Sequence, residues 1–298
     1  MTRRHAYVHA YLRAHVHAYL HAYLRAYLVL SGIAWCGFLA IIVWTMAFLG
    51  GVALPHTVDG PSRTTTPWAV TIDLSLLLLF AVQHSVMARR GVKARLRRLV
   101  PVELERTTYV LATNLCLALL LALWQPWDEQ IWRVDGAPAA ALWALCAAGW
   151  VLAIAATFAV DHLELVGLRQ AGWAATPHRR PSSELQVDGL YAFVRHPLMT
   201  GLVLAFWATP RMSAPHLLFA VAATGYIGLG IVFEERDLRR TFGASYDEYA
   251  SRVPALVPGL RRGRRAAGPT VVVGGEPLRH CSTHRSTDVA ADTPPDAG

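Results

Sequence analysis

Charged side chains are scarce in this sequence. Asp, Glu, Lys and Arg make up 16% of the 298 residues, whereas 54% of the residues are hydrophobic. Together with a mean hydropathy of +0.33, this composition excludes an ordinary soluble domain or pair of domains. It predicts a membrane protein.

Cysteine is also rare. The four cysteines stand alone, three within apolar runs and one, Cys281, in the polar C-terminal segment. No CxxC motif and no Cys/His pair occurs at the spacing of a metal site. The sequence therefore predicts neither a disulfide framework nor a metal site, such as a zinc site, built on these cysteines.

The basic residues lie between the apolar runs rather than on a polar domain, so the net charge of +8 does not indicate a nucleic-acid partner. Seven Lys and Arg residues fall in 89–106 and four in 161–196, against one in each of the other three connections, 55–66, 125–137 and 210–214. Because basic loops stay in the cytoplasm, this alternation predicts a cytoplasmic (inner) membrane protein with both termini inside.

The apolar runs are long enough to cross a bilayer, which takes about 20 residues. Their positions are 27–54, 67–88, 107–124, 138–160 and 197–233. The last run is broken near Pro210 and Pro215, which predicts a helical hairpin whose first arm of about 13 residues is roughly 20 Å long, too short for a full span. Uninterrupted runs exclude a β-barrel. The predicted fold is an all-α integral-membrane helical bundle of about five to six segments, including this C-terminal hairpin.

Both ends of the chain differ from this apolar part. Residues 1–25 carry a low-complexity His/Ala/Tyr repeat, which we expect to be dispensable, and residues 259–298 form a polar tail that we expect to be disordered. The domain that remains is 26–258. The repeat admits two interpretations, a haem or metal box or a repeat expansion without function. Its histidines are His5, His9, His15, His17 and His21.

The stretch 186–258 carries the most chemical information. Pro197 can open the first arm of the hairpin, which places Arg195 and His196 at its mouth. Glu234 and Glu235 end the second arm, and a hairpin returns to its starting side, so the two pairs should meet. Adjacent carboxylates at the end of an apolar helix are costly unless paired. Either they bind cations of the protein, such as Arg195, Arg239 or Arg240, or they bind a cationic ligand.

Several spaced elements of this stretch form one pattern. The elements are Gly189-x-Tyr191, Val194-Arg195-His196-Pro197, Gly201, Glu234-Glu235, Leu238, Phe242-Gly243, Tyr246 and Tyr249-x3-Val253-Pro254. The pattern resembles the C-terminal signature of the integral-membrane methyltransferases, the superfamily of isoprenylcysteine carboxyl methyltransferases and phospholipid N-methyltransferases. Met199 departs from the prenylcysteine pattern, in which an aromatic residue often follows RHPx.

Upstream segments narrow the resemblance. The chain over about 26–258 is similar to the methanethiol S-methyltransferases, bacterial enzymes that make dimethyl sulfide from methanethiol. The segments that carry this similarity are FAVQHSVMAR (80–89), PVELERTTYVL (101–111), DHLELVGLRQ (161–170) and LAFWATPRMSAPHLLFA (204–220).

The resemblance implies methylation of a small thiol, most simply methanethiol, with S-adenosyl-L-methionine as the methyl donor. Carboxylates suit its sulfonium and ammonium groups, and Arg suits its carboxylate. The implied partners are the small thiol and the lipid bilayer, with no nucleic acid and no obligate protein partner. The residues expected at the cofactor are Tyr191, Arg195, His196, Pro197, Glu234, Glu235, Tyr246 and Tyr249.

A thiol must lose its proton before it attacks, so a base should lie beside the donor. The candidate proton acceptors are His84, Asp161 and His162, and the alternative for each is a helix-end residue facing water. A two-heavy-atom acceptor needs a small apolar pocket. The candidate pocket residues are Met199, Leu202 and Phe206, and the alternative for each is core packing.

Two other functions stay open from the sequence. One keeps the methyl donor and changes the acceptor to a prenylated cysteine or a phospholipid headgroup. The other is a non-catalytic membrane protein of haem or nitrogen-oxide metabolism that uses the histidines as ligands.

Overall fold

A computed structural model describes residues 3–52, 56–159, 163, 166–170, 172–173 and 185–259, and before Ala22 it describes only the side chain of His15. Their regular structure is almost entirely helical. The helices are α1 (Arg3–Gly50), α2 (Thr66–Ala88), α3 (Arg90–Leu96), α4 (Glu105–Leu123), α5 (Ala137–Ala159), α6 (Pro197–Trp207), α7 (Ala214–Phe242) and α8 (Ala244–Arg252). The strands are β1 (Gln130–Arg133) and β2 (Arg211–Ser213), and short 3-10 turns occupy Val102–Leu104 and Gly189–Ala192.

Five helical segments are long and apolar enough to cross a membrane, which confirms the predicted multi-pass helical bundle. They are Ala22–Gly50 within α1, α2, Val102–Leu123 (α4 with its preceding turn), α5 and α7. The sixth apolar helix, α6, has 11 residues, two fewer than the sequence predicts. It ends at Trp207 because the residue before Pro210 is driven out of helical geometry.

The hairpin of α6 and α7 has its tip on the connection between α4 and α5. Strand β2 pairs antiparallel with β1, with Met212 opposite Trp132. The Trp132 indole also donates to the carbonyl oxygen of Thr209, at 3.1 Å. These bonds place the tip at the end of the bundle opposite to Arg195 and His196.

Small residues let α5 and α6 pack backbone to backbone. A Cβ added to Gly201 would lie 2.5 Å from the backbone nitrogen of Ala153 and 2.6 Å from the carbonyl oxygen of Gly149. Membrane helices approach this closely where side chains are small, since lipid gives no hydrophobic drive for association. The contact fixes α6, and with it the residues that precede Pro197.

The hydrophobic core lies toward the hairpin tip. Phe206 packs edge-on against Phe219 and Trp150, with ring centroids 5.2 and 6.0 Å apart. Asp73 is buried within α2, where its carboxylate accepts a hydrogen bond from the backbone N–H of Gln125 at 2.8 Å. This bond ties α2 to the chain that leaves α4.

Candidate active site

The open end of the hairpin brings Arg195 and His196 against Glu234 and Glu235. Pro197 is the first residue of α6, and both glutamates lie in the last turns of α7. The Arg195 side chain reaches Glu235, 40 residues away in sequence, with its Nε donating to Oε1 at 3.0 Å. The folded hairpin therefore assembles the cluster, and the two glutamates have different surroundings within it.

Glu235 is buried and binds cations of the protein. Its side chain is 11% exposed and is bound by Arg195 through Nη2 to Oε1 at 2.5 Å. Arg239 donates to Oε2 at 3.1 Å, and His196 Nε2 lies 3.3 Å from Oε1. Two guanidinium groups and an imidazole thus compensate one carboxylate, which is the ion-pair alternative left open by the sequence.

Glu234 faces the other way. Its side chain is 50% exposed, and the contact it makes within the described structure is to His196 Nδ1, 3.5 Å from Oε2. Burial of the His196 ring lowers its pKa, but hydrogen bonds and charges from Glu234 and Glu235 outweigh burial and raise the pKa above the usual 6.5. When His196 is protonated, it can donate to both carboxylates, and Glu234 keeps most of its acceptor capacity free for a ligand.

Arg195 also holds the end of α8 and the chain that follows it. Besides binding Glu235, its Nη1 donates to the carbonyl oxygens of Ala250 and Val253. The backbone N–H groups of Arg195 and His196 donate to the carbonyl oxygens of Pro254 and Ala255, at 2.9 and 3.1 Å. Four of the five guanidinium N–H donors are used in these bonds, and Arg195 also interacts with the Tyr246 hydroxyl.

A cavity of about 210 Å³ opens beside this cluster. Glu234 supplies a carboxylate to its wall, and the other lining residues are Leu185, Gln186, Tyr191, Arg195, Leu238, Phe242, Tyr246 and Tyr249. Five of the eight residues expected at a cofactor line it. His196, Pro197 and Glu235 lie behind the wall, where they hold Arg195 and the start of α6 in place.

Four lining residues are missing from the sequence-based expectation. Leu238 and Phe242 follow Glu234 at intervals of four, which places them on the same face of α7. That spacing was a usable signal. Leu185 and Gln186 precede the 3-10 turn in irregular chain, for which no periodic signal exists.

The tyrosines form the aromatic part of the wall. The Tyr249 hydroxyl donates to the carbonyl oxygen of Tyr191 at 2.7 Å, and the Tyr246 and Tyr249 rings lie 6.1 Å apart. Burial, followed by the charge of Glu235, raises the pKa of Tyr246 to about 12. Partial burial raises the pKa of Tyr249 to about 12 as well, so both phenols stay neutral at physiological pH and the negative charge of the wall comes from Glu234.

The candidate proton acceptors have different outcomes. Asp161 and His162 lie outside the described residues. His84 lies in α2 and contacts other side chains, with the Tyr109 hydroxyl 2.8 Å from its Nε2 and the Thr113 hydroxyl 3.5 Å from its Nδ1. Its surroundings are therefore a polar cluster between helices.

The expected substrate-pocket residues do not line the cavity. Phe206 is buried in the hydrophobic core, Leu202 packs against that core, and Met199 is half-buried in the first turn of α6. Phe206 lies in the second half of α6, which faces α5 and α7 near the hairpin tip. Its packing is the alternative that the sequence left open.

Among the side chains that the structure describes, no group of three or more His, Cys, Asp or Glu is placed to hold a metal ion. Of the five repeat histidines, His15 is among these described side chains. The other four lie outside the described side chains.

Comparison with known proteins gives several similar sequences. The chain is 42% identical to methanethiol S-methyltransferase 2 of Bradyrhizobium diazoefficiens over 238 residues, which cover 80% of this chain and 92% of that protein. It is 43% identical to methanethiol S-methyltransferase of Mycobacterium tuberculosis over 234 residues, 78% and 95% of the two chains. Nurim of Xenopus laevis is 35% identical over 169 residues, 54% of this chain and 59% of that protein. No family model and no solved structure matches.

Proposed function

Because this chain belongs to the methanethiol S-methyltransferase family, we propose that it transfers a methyl group to methanethiol and so forms dimethyl sulfide. The methyltransferase domain is 26–258, which contains the whole cluster around Glu234.

The proposed methyl donor is S-adenosyl-L-methionine, bound in the cavity beside Glu234. The half-exposed Glu234 carboxylate is the observation that carries this proposal, since it faces a cavity and has most of its acceptor capacity free. A carboxylate suits the cationic groups of the donor, and the positive charge of Arg195 suits its carboxylate. Leu238 and Phe242 offer apolar surface to the adenosyl group.

The donor supplies an electrophilic methyl group, and the protein residues supply position. Glu235, Arg195 and His196 form an ion-paired cluster. This cluster fixes the end of α7 from which the Glu234 side chain projects. Holding two reactants in a reactive geometry can supply an effective molarity of about 10⁵ M or more. No nucleophilic side chain is needed for a direct transfer to sulfur.

We place the site at the cytoplasmic face of the cytoplasmic membrane. The guanidinium of Arg89, the first basic residue of the 89–106 segment, lies 5.0 Å from the ring centroid of Phe233. Phe233 precedes Glu234, so the most basic connection of the chain is at the same end of the bundle as the cavity. Basic connections are retained in the cytoplasm.

The test is a labelled transfer with the full-length protein in lipid nanodiscs. Methanethiol and S-adenosylmethionine with a deuterated methyl group should give dimethyl sulfide that carries one labelled methyl, detected by headspace mass spectrometry. Glu234→Gln should lose most of this product and bind the donor more weakly. Glu248→Gln, which changes an exposed glutamate of α8 paired with Arg252, is the matched control and should keep both.

Absence of labelled dimethyl sulfide from the folded wild-type protein contradicts the proposal. Equal donor affinity in Glu234→Gln and the wild type contradicts the assignment of the binding carboxylate.

A further inference from the structure

One ridge of α7 leads from the cavity toward the membrane interior. Residues four apart are neighbours on the surface of a helix, so Tyr226, Gly230, Glu234, Leu238 and Phe242 form one row, which winds about 40° round the helix at each step. The last three line the cavity. The first two continue the row beyond the cavity, toward the hairpin tip.

Gly230 leaves open space in the middle of this row. An added Cβ at this position would meet no atom of the described residues within 4 Å. A glycine inside a helix costs about 1 kcal/mol relative to alanine, and here it gives no close helix packing in return. What the missing side chain provides is room beside α7, between Glu234 and Tyr226.

A polar cluster stands at the inner end of the row. The His84 and Tyr226 rings lie 6.3 Å apart, and the Tyr226 hydroxyl is 3.1 Å from the Ser85 hydroxyl. On its other side, His84 has the hydroxyls of Tyr109 and Thr113 near its ring nitrogens. Polar groups inside membrane helices are costly and usually functional. An imidazole whose hydrogen-bonding neighbours are hydroxyls can accept a proton.

The dimensions suit two reactants in a line. Tyr226 and Glu234 are eight residues apart, which is about 12 Å along the helix axis. A thiol ready to attack needs its sulfur about 3–3.5 Å from the transferred methyl carbon. The space beside Gly230 therefore lies where an acceptor would meet a donor held at Glu234, and His84 lies on the membrane side of it.

We propose that the methyl acceptor occupies the space beside Gly230 and that His84 accepts its proton, an inference that rests on the proposed function. The S–H bond of methanethiol breaks and its proton passes to a ring nitrogen of His84. The sulfur forms a new bond to the methyl carbon, while the donor's carbon–sulfonium bond breaks and its electron pair returns to the donor sulfur. Dimethyl sulfide, S-adenosylhomocysteine and protonated His84 result, and His84 returns the proton to water. Tyr109 is a positioning residue that orients the ring.

The base role is tested by His84→Gln in nanodiscs. General-base catalysis is worth about 10²–10⁴-fold, so kcat for methanethiol should fall by that factor near neutral pH. Without a base only free thiolate reacts, so the variant's rate should rise about tenfold per pH unit from neutral to alkaline pH, more steeply than the wild-type rate. Binding of labelled S-adenosylmethionine should not change. If His84→Gln keeps the wild-type pH profile, the assignment is overturned, whatever the turnover rate of the variant.

The acceptor position is tested by Gly230→Leu, with Gly228→Leu as the matched control. Both glycines lie in α7, and an added Cβ at either meets nothing within 4 Å, but Gly228 is on a different face of the helix. Gly230→Leu should lose at least about tenfold in turnover while it still binds the donor. The reason is that the added side chain fills the space for the acceptor and leaves the donor site free. Gly228→Leu should keep both properties.

Unchanged turnover in Gly230→Leu, or equal loss in both variants, overturns this inference. In each case a wild-type protein that makes labelled dimethyl sulfide leaves the proposed function standing, whereas a folded wild type without product refutes the proposed function itself.

Discussion

At the scale of single residues, two adjacent glutamates have opposite roles. Glu235 compensates buried cations, and Glu234 keeps a carboxylate for a ligand. The sequence predicts that both meet Arg195 and His196, because a hairpin returns to its starting side. It does not predict which glutamate faces inward, since that depends on how α7 is rotated against the chain that precedes α6.

Replacing Glu235 tests its structural role. Glu235→Gln leaves Arg195 buried without a counter-charge, and breaking a buried ion pair costs up to about 3–5 kcal/mol. We expect a lower midpoint of thermal unfolding in detergent. The control is Asp237→Asn, which removes an exposed carboxylate paired with Arg240 and should leave the midpoint unchanged. Equal midpoints for the wild type and Glu235→Gln would contradict the role assigned to the ion pair.

The raised pKa of His196 predicts a pH-dependent stability. The folded protein holds the His196 proton more tightly than the unfolded chain, whose pKa is near 6.5. The stabilisation is therefore complete below about pH 6.5 and is lost as the pH rises through the folded pKa. Thermal unfolding between about pH 6 and pH 9 should show a decline that His196→Gln abolishes. If the decline in stability persists in His196→Gln, another titrating group causes it.

At the scale of elements, the close contact of α5 and α6 decides where the site stands. Gly201→Val places a branched side chain where even a Cβ is 2.5 Å from the backbone of α5. We expect little folded protein by size-exclusion chromatography in detergent, because the obstructing atoms belong to the backbone and cannot rotate away. Gly228→Val, with open space around it, should yield normal amounts. Equal yields would mean that α6 is not held by this contact.

The helices were predictable to different degrees. Long apolar runs define α2 and α5 almost to the residue, since a membrane helix must satisfy its backbone hydrogen bonds internally. The lining of a pocket was less predictable. Phe206 lies in an apolar helix, in which hydrophobicity does not separate a pocket wall from a core position. Only the packing of Phe206 against Phe219 shows that it belongs to the core.

At the scale of the whole molecule, the N-terminal repeat and the membrane domain are joined by one continuous helix. Hydrogen bonds join α1 to other parts of the chain, and in one of them the Trp173 indole donates to the carbonyl oxygen of Leu28 at 3.1 Å. Farther along, the Asn114 amide donates to the carbonyl oxygen of Ala34 at 2.9 Å. These bonds attach the spanning part of α1 to its neighbours.

Deletion of residues 2–21 should therefore leave methyl transfer intact, since the first span begins at Ala22. Deletion of residues 2–34 is the control and should abolish activity, because it removes Leu28 and Ala34 and leaves a helix too short for a bilayer. Activity is measured as dimethyl sulfide formed per unit of membrane-inserted protein. Loss of activity in the shorter deletion at normal membrane levels would support the metal-box interpretation of the repeat.

We infer that this membrane protein methylates a small thiol in preference to a lipid. The most direct measurement is a competition in nanodiscs, in which wild-type protein and labelled S-adenosylmethionine receive methanethiol, a farnesylated cysteine and an aminophospholipid together. We expect most of the label to appear in dimethyl sulfide, with methanethiol having the highest kcat/KM of the three acceptors. A higher kcat/KM for the farnesylated cysteine or the aminophospholipid would contradict it.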